Sequence, residues 1–140
     1  MSALGWSTER IPLWKGNVSS TLSPCSSTTT YYGSEADYKR RVLGAKFYSD
    51  TAITGDGTAM YTIALWTGTT KIAELIFTTS TDHTANDYTD LTLETANAAD
   101  TNHIVAADTT LTCSCTKTGS PDDLGTNSWV CVTLAPVEVF

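Results

Sequence analysis

The second half of this chain has almost no basic residues. Between Lys71 and Lys117 there is neither lysine nor arginine, and residues 72–140 hold one base against ten acids. The chain as a whole has a formal net charge of −7. Because such a surface repels nucleic acid and anionic membranes, we expect no nucleic-acid partner. The one basic cluster, residues 39–41 (KRR), is interpreted as a solvated strand start in preference to an anion contact.

Long apolar runs are also missing. No stretch approaches the ~20 residues that a transmembrane helix needs, so no membrane partner is expected. Residues 1–14 (MSALGWSTERIPLW) contain neither a basic region nor an apolar segment of the kind found in secretory signals. We therefore expect synthesis in the cytosol and reduced thiols at the four cysteines.

The motifs of common enzymes are absent. There is no Gly-x-Ser-x-Gly elbow and no glycine-rich phosphate loop, and His83 and His103 are the only histidines. His83 lies between Asp82 and Asp87, which is typical of a surface loop. A hydrolytic triad needs a histidine beside its nucleophile, so the sequence predicts no enzyme activity and no cofactor.

Two groups of residues could in principle hold a metal. Cys113 and Cys115 share one strand face, Cys131 follows on the next strand, and His103 is the only plausible fourth zinc ligand. Structural zinc ligands are spaced differently and lie on loops, so we interpret these cysteines as small buried residues. A disulfide from Cys131 to Cys113 or Cys115 is the alternative under oxidising conditions.

The acidic loop could offer oxygen ligands to calcium through Asp82, Asp87 and Asp90. Its spacing does not match the calcium-loop motif, and a solvated acidic loop is the better interpretation. No metal site is therefore predicted.

Threonine is the most frequent residue, and no stretch has a sustained helical period. Threonine is β-branched and favours strands. Leu111, Cys113 and Cys115 alternate with hydroxyl side chains, which indicates a strand with one buried face. About six such strands in 140 residues predict an all-β fold, a single β-sandwich or jelly-roll-like domain.

A predicted hairpin places apolar residues on both of its faces. The strands on either side of residues 67–70 put Trp66, Ile72 and Ile76 on the face opposite the core. Because an apolar patch of this kind is usually covered, we expect these three residues to contact the N-terminal segment or a partner chain.

The first 40 residues have no sustained period, and residues 17–34 are rich in serine and threonine. They also contain Trp6, Trp14, Tyr31 and Tyr32, which are too apolar for a solvated tail. We predict that residues 1–40 are an extended arm that docks on its own sandwich or on a neighbouring subunit. Residues 41–140 then form the sandwich domain.

Five segments resemble a known family: residues 41–45 (RVLGA), 63–68 (IALWTG), 105–112 (VAADTTLT), 116–119 (TKTG) and 132–136 (VTLAP). Their pattern resembles the capsid decoration, or cement, proteins of tailed bacteriophages. The resemblance implies a non-enzymatic virion protein, made in the host cytoplasm and bound to the outer capsid surface. It further implies a homotrimer that clamps subunits of the major capsid protein.

Three other functions remain open. A receptor- or glycan-binding module of a head fibre or tail would present an exposed aromatic platform, with Trp66 as its best candidate. A small enzyme would need a convergent pocket of titratable groups. A bacterial surface adhesin would need an export signal.

Overall fold

The computed structural model describes residues 6–13, 28–98, 101–119 and 127–137. Within these ranges all regular structure is β-strand. The strands are β1 (Ser7–Pro12), β2 (Thr28–Tyr32), β3 (Arg40–Ser49), β4 (Met60–Thr67), β5 (Thr70–Ile76), β6 (Asp87–Asp90), β7 (Thr92–Leu93), β8 (Ile104–Val105), β9 (Leu111–Thr118) and β10 (Ser128–Pro136).

The strands form two five-stranded antiparallel sheets that pack together as a β-sandwich, which confirms the predicted fold class. Sheet A has the order β1-β10-β3-β6, and the short β8 also pairs with β3. Sheet B has the order β2-β9-β4-β5-β7. The two strands from the first 40 residues, β1 and β2, therefore each extend one sheet at its edge. The boundary predicted at residue 40 stays a prediction.

The core lies between the sheets and is built from alternate residues of the long strands. In β9 the predicted alternation is confirmed, since Leu111, Cys113 and Cys115 are fully buried. Across the core, β10 presents Val130 and Val132 from the other sheet. Successive side chains of a strand point to opposite faces, so the residues between them form the outer faces of the sandwich.

A β-bulge in β5 changes which residues of the predicted hairpin face the core. Leu65 lies opposite Ala73, but Trp66 lies opposite Lys71, so Ile72 is an extra residue in β5. An extra residue breaks the strict alternation of sides, and Ile72 and Ala73 are both fully buried. The prediction that Ile72 lies outside the core is therefore wrong.

A second bulge in β3 has the same effect. Thr133 lies opposite Gly44 and Leu134 lies opposite Val42, which leaves Leu43 as the extra residue. Val42 is buried and Leu43 only half-buried, the reverse of a strict alternation counted from Phe47. A uniform period of two thus fails at one point in each sheet.

Candidate functional site

The outer face of sheet B, the surface that the sequence assigned to docking, is rich in hydroxyl groups. Residues directly opposite each other on neighbouring strands share a face. One row across the sheet runs from Tyr32 through Thr112 and Trp66 to Lys71. In the next rows the same face carries Thr30, Ser114, Thr62 and Ile76. Most of these side chains are uncharged and could pack against another protein.

Trp66 lies in the middle of this face and is half-buried. Its indole Nε1–H donates a hydrogen bond of 2.8 Å to the hydroxyl of Ser114 on the neighbouring strand. Ile76 is also half-buried, whereas the Tyr32 side chain is 72% exposed. The face therefore combines two partly covered apolar side chains with one largely exposed ring.

The β5–β7 end of the face carries charge. The Lys71 ammonium lies 3.0 Å from a Glu74 oxygen and 3.3 Å from a Glu94 oxygen. The hydrogen bond to Glu74, assisted by the Glu94 carboxylate, raises the pKa of Lys71 above its usual value of 10.5, although partial burial opposes the shift. The face is thus polarised, with a neutral aromatic end at β2 and an ionic end at β7.

The seven predicted contact residues do not all lie on one surface. Tyr31 lies opposite Cys113 on the core side of sheet B and is only 5% exposed. It packs in the core of its own sandwich, one of the two places predicted for the arm, whereas the buried Ile72 was wrongly predicted as a surface contact. Trp6 is 76% exposed beside the start of β1. Trp14 lies outside the described residues, and Tyr32, Trp66 and Ile76 remain on the outer face.

The outer face of sheet A carries a row of aromatic rings that sequence reasoning missed. Trp129 and Tyr48 stack with ring centroids 4.0 Å apart and an interplanar angle of 15°. Tyr88 packs on Tyr48 at 5.3 Å, and the Arg10 guanidinium lies 4.5 Å from the centroid of the Trp129 ring. Their faces are thus used within the row, which stabilises the sheet but leaves no flat aromatic platform at Trp129.

The three described cysteines do not come together as zinc ligands or as a disulfide. Strands β9 and β10 belong to different sheets, and Cys131 lies on the outer side of sheet A, whereas Cys113 and Cys115 face the core. The alternative disulfide is therefore wrong for this arrangement. Burial raises the pKa of the Cys113 thiol to about 12, which keeps it protonated and unreactive. Cys25 lies outside the described residues.

His83 is not a surface residue, which corrects the interpretation of its loop. It is 2% exposed, and its ring packs edge-on against Phe47 at 4.9 Å. Its two ring nitrogens lie 2.7 Å from the Thr89 hydroxyl and 3.2 Å from the Ser49 carbonyl. The carbonyl can only accept, so Nε2 donates to it. His83 therefore fastens the 77–89 segment to β3.

The acidic side chains Asp82 and Asp87 of this segment are exposed, and so is Asp90 directly after it. Asp82 accepts a 2.7 Å hydrogen bond from Gly55 N, and Asp90 lies 3.9 Å from the Lys46 ammonium. In the described part of the chain no three His, Cys, Asp or Glu side chains come together as a metal site would require. The described residues also contain no helix that is long and apolar enough to cross a membrane.

A cleft lies beside the edge strands β1 and β2 and has a volume of about 770 Å³. At its base, Arg40 and Glu9 form an ion pair of 3.5 Å, with side chains 4% and 14% exposed. Arg40 also donates to the carbonyl oxygens of Ser34 and Thr109, at 3.2 and 3.4 Å. The other Glu9 oxygen accepts from Ser34 N. A buried ion pair therefore joins β1, β3 and the 33–38 segment.

No family model matches this chain, and comparisons with curated proteins and with solved structures likewise give no match.

Proposed function

We propose that this chain is a capsid decoration, or cement, protein of a tailed bacteriophage. In this role it is a non-enzymatic virion protein that binds the outer surface of the head and stabilises contacts between subunits of the major capsid protein. The observation that carries the proposal is the outer face of sheet B. There Trp66, Ile76 and Tyr32 add apolar area to a sheet surface otherwise covered by hydroxyl groups.

This composition is suited to an interface between folded proteins. Such interfaces are enriched in aromatic side chains and depleted in lysine and glutamate at their centre. On sheet B the charged residues Lys71 and Glu74 lie toward one end of the face, and Trp66 lies between them and the β2 edge. A partner could therefore cover the centre without burying an unpaired charge.

The charge layout supports an orientation. Asp82, Asp87 and Asp90 are exposed. Asp87 and Asp90 lie in β6, which pairs with β3 in sheet A, and Asp82 lies in the loop that precedes β6. If sheet B faces the capsid, these acidic residues face the solvent. In the proposed assembly the protein is made in the host cytoplasm and acts as a homotrimer on the virion surface.

The second candidate is a receptor- or glycan-binding module of a head fibre or tail. The exposed ring of Tyr32, at 72%, is the observation that favours it, because sugars stack on accessible aromatic faces. Trp66 is a weaker platform than the sequence predicted, because it is half-buried and its N–H is already bonded to Ser114. A module of this kind would be present in few copies per virion.

Binding to capsids purified without the protein tests the proposal. Wild-type protein should co-sediment with the capsids at saturable stoichiometry. Thr30→Glu places a charge on an exposed position of the sheet B face and should weaken binding at least about tenfold, because the carboxylate would be desolvated. The matched control is Thr84→Glu, an exposed loop position away from this face, which should bind like wild type. Equal binding of both variants would contradict docking through sheet B.

A further inference from the structure

Hydrogen bonds hold the walls of the cleft beside β1 and β2. Its 33–38 segment is fixed from several directions: Gly33 N donates to the Leu111 carbonyl at 2.8 Å, and the Ala36 carbonyl accepts from Asp108 N at 2.7 Å. The Thr110 hydroxyl donates to Glu35 at 3.0 Å. Together with the Glu9–Arg40 pair at its base, these bonds hold the cleft in one shape. A preformed site loses less entropy on binding than a flexible one.

Exposed aromatic side chains concentrate at this cleft. The described residues contain four large hydrophobic side chains that are exposed, and Tyr32 and Tyr38 among them line the cleft. A third, Trp6, directly precedes Ser7, which also lines it. Tyr32 and Tyr38 are 72% and 38% exposed, so their rings are available to a ligand. Core packing does not account for this grouping.

The polar lining decides the class of ligand. Three acidic side chains and two arginines line the cleft, but Arg40 is already paired with Glu9 and Arg10 lies over Trp129. Three carboxylates against two guanidinium groups give the lining a net charge of −1, so an anionic ligand would meet net negative charge beside the exposed Glu35 and Asp37. An apolar ligand would bury these carboxylates at a large cost.

A neutral saccharide fits both features. Its hydroxyl groups can donate to the carboxylates of Glu35 and Asp37, and its apolar ring face can stack on tyrosine. The cleft volume of about 770 Å³ is within the ~300–1,000 Å³ of small-molecule sites. We propose that this cleft binds a neutral oligosaccharide through Tyr32, Tyr38 and the two carboxylates. Tyr32 also belongs to the outer face of sheet B, and titration of the free protein therefore tests this site apart from the capsid role.

Titration of isotopically labelled, full-length protein with soluble oligosaccharides tests the inference. The probes are maltotetraose, cellotetraose and chitotetraose, with sialyllactose as the anionic comparison. At least one neutral tetrasaccharide at millimolar concentration should shift the amide resonances of residues 7–10 and 33–38. Sialyllactose should produce smaller shifts. The absence of shifts with all three neutral probes, or shifts confined to the Trp66 face, would overturn the proposal.

Variants separate stacking from general effects on the fold. Tyr32→Ala and Tyr38→Ala should each weaken the affinity about tenfold, whereas Tyr38→Phe should retain most of it because the ring remains. Tyr88→Ala removes a ring that is 44% exposed on the sheet A face and should bind like wild type. Unchanged affinity in both alanine variants would overturn the proposal, as would tighter binding of a lysine-rich peptide to the same residues.

Discussion

Replacing Glu9 with glutamine is expected to destabilise the protein by about 3 kcal/mol. The substitution keeps the shape of the side chain and an oxygen that can accept from Ser34 N. It removes the negative charge beside Arg40, whose side chain is only 4% exposed. At 3.5 Å and an effective dielectric constant of about 20, the gross attraction of the pair is about 5 kcal/mol.

The net effect is smaller than the gross attraction. Removing one partner of a buried ion pair typically costs about 3–5 kcal/mol, because the other charge is left uncompensated. Arg40 keeps two carbonyl acceptors, Ser34 and Thr109, which places the expected loss at the lower end. The loss is large against a total stability of about 5–15 kcal/mol.

Urea unfolding followed by tryptophan fluorescence measures this loss. With a slope of about 1.5 kcal/mol per molar urea, the midpoint of Glu9→Gln should fall by about 2 M. Glu35→Gln is the matched control: this carboxylate is exposed and accepts from Thr110, so its replacement should cost less than about 0.5 kcal/mol. A double-mutant cycle with Arg40→Met isolates the pair. A loss below about 1 kcal/mol for Glu9→Gln, or a coupling energy near zero, would refute the reasoning.

Three further predictions concern packing and titration. Gly55→Ala should destabilise the protein by more than about 3 kcal/mol, because the added Cβ would lie 1.8 Å from the backbone oxygen of Thr78. Gly68→Ala meets no atom within 4 Å and should cost only about 1 kcal/mol, for its φ of +57°. Similar unfolding midpoints for the two variants would contradict this difference. In native protein at pH 8 a thiol reagent should label the half-buried Cys131 and spare Cys113, and equal labelling rates measured by peptide mass spectrometry would argue against the burial of Cys113. The stability that the protonated Cys113 thiol contributes should be present below pH 9.0 and lost as the pH rises toward about 12. Lys71→Met should lower stability by less than about 1 kcal/mol near neutral pH, and this difference should disappear as the pH rises through the raised pKa of Lys71, above 10.5; a difference that persists at higher pH would rule out the ionic contribution.

The sequence predicted the strands where side-chain alternation is uninterrupted. In β9 the burial of Leu111, Cys113 and Cys115 follows directly from a period of two. The sandwich class follows in the same way from several short strands rich in threonine. These features depend on local patterning, which a single sequence contains.

The errors arise where one residue changes the register or where distant segments meet. The bulges at Ile72 and Leu43 reverse the sides of their strands. Gly44 follows Leu43 and is a local signal, since an isolated glycine within a strand pattern suggests a bulge, but no glycine adjoins Ile72. His83 is buried by Phe47, which is far away along the chain, although its acidic neighbours suggest a surface loop. The cleft was missed because Glu9 and Arg40 come together only when β1 joins sheet A.

The copy number of the protein in purified virions tests the central claim most directly. Under the proposed function a tailed bacteriophage encodes this chain, and quantitative mass spectrometry of its virions gives the ratio of the chain to the major capsid protein. A decoration protein that binds throughout the head should be present in a fixed ratio close to that of the capsid subunits or of their threefold sites. Absence from the virion, or only a few copies per particle, would contradict the account.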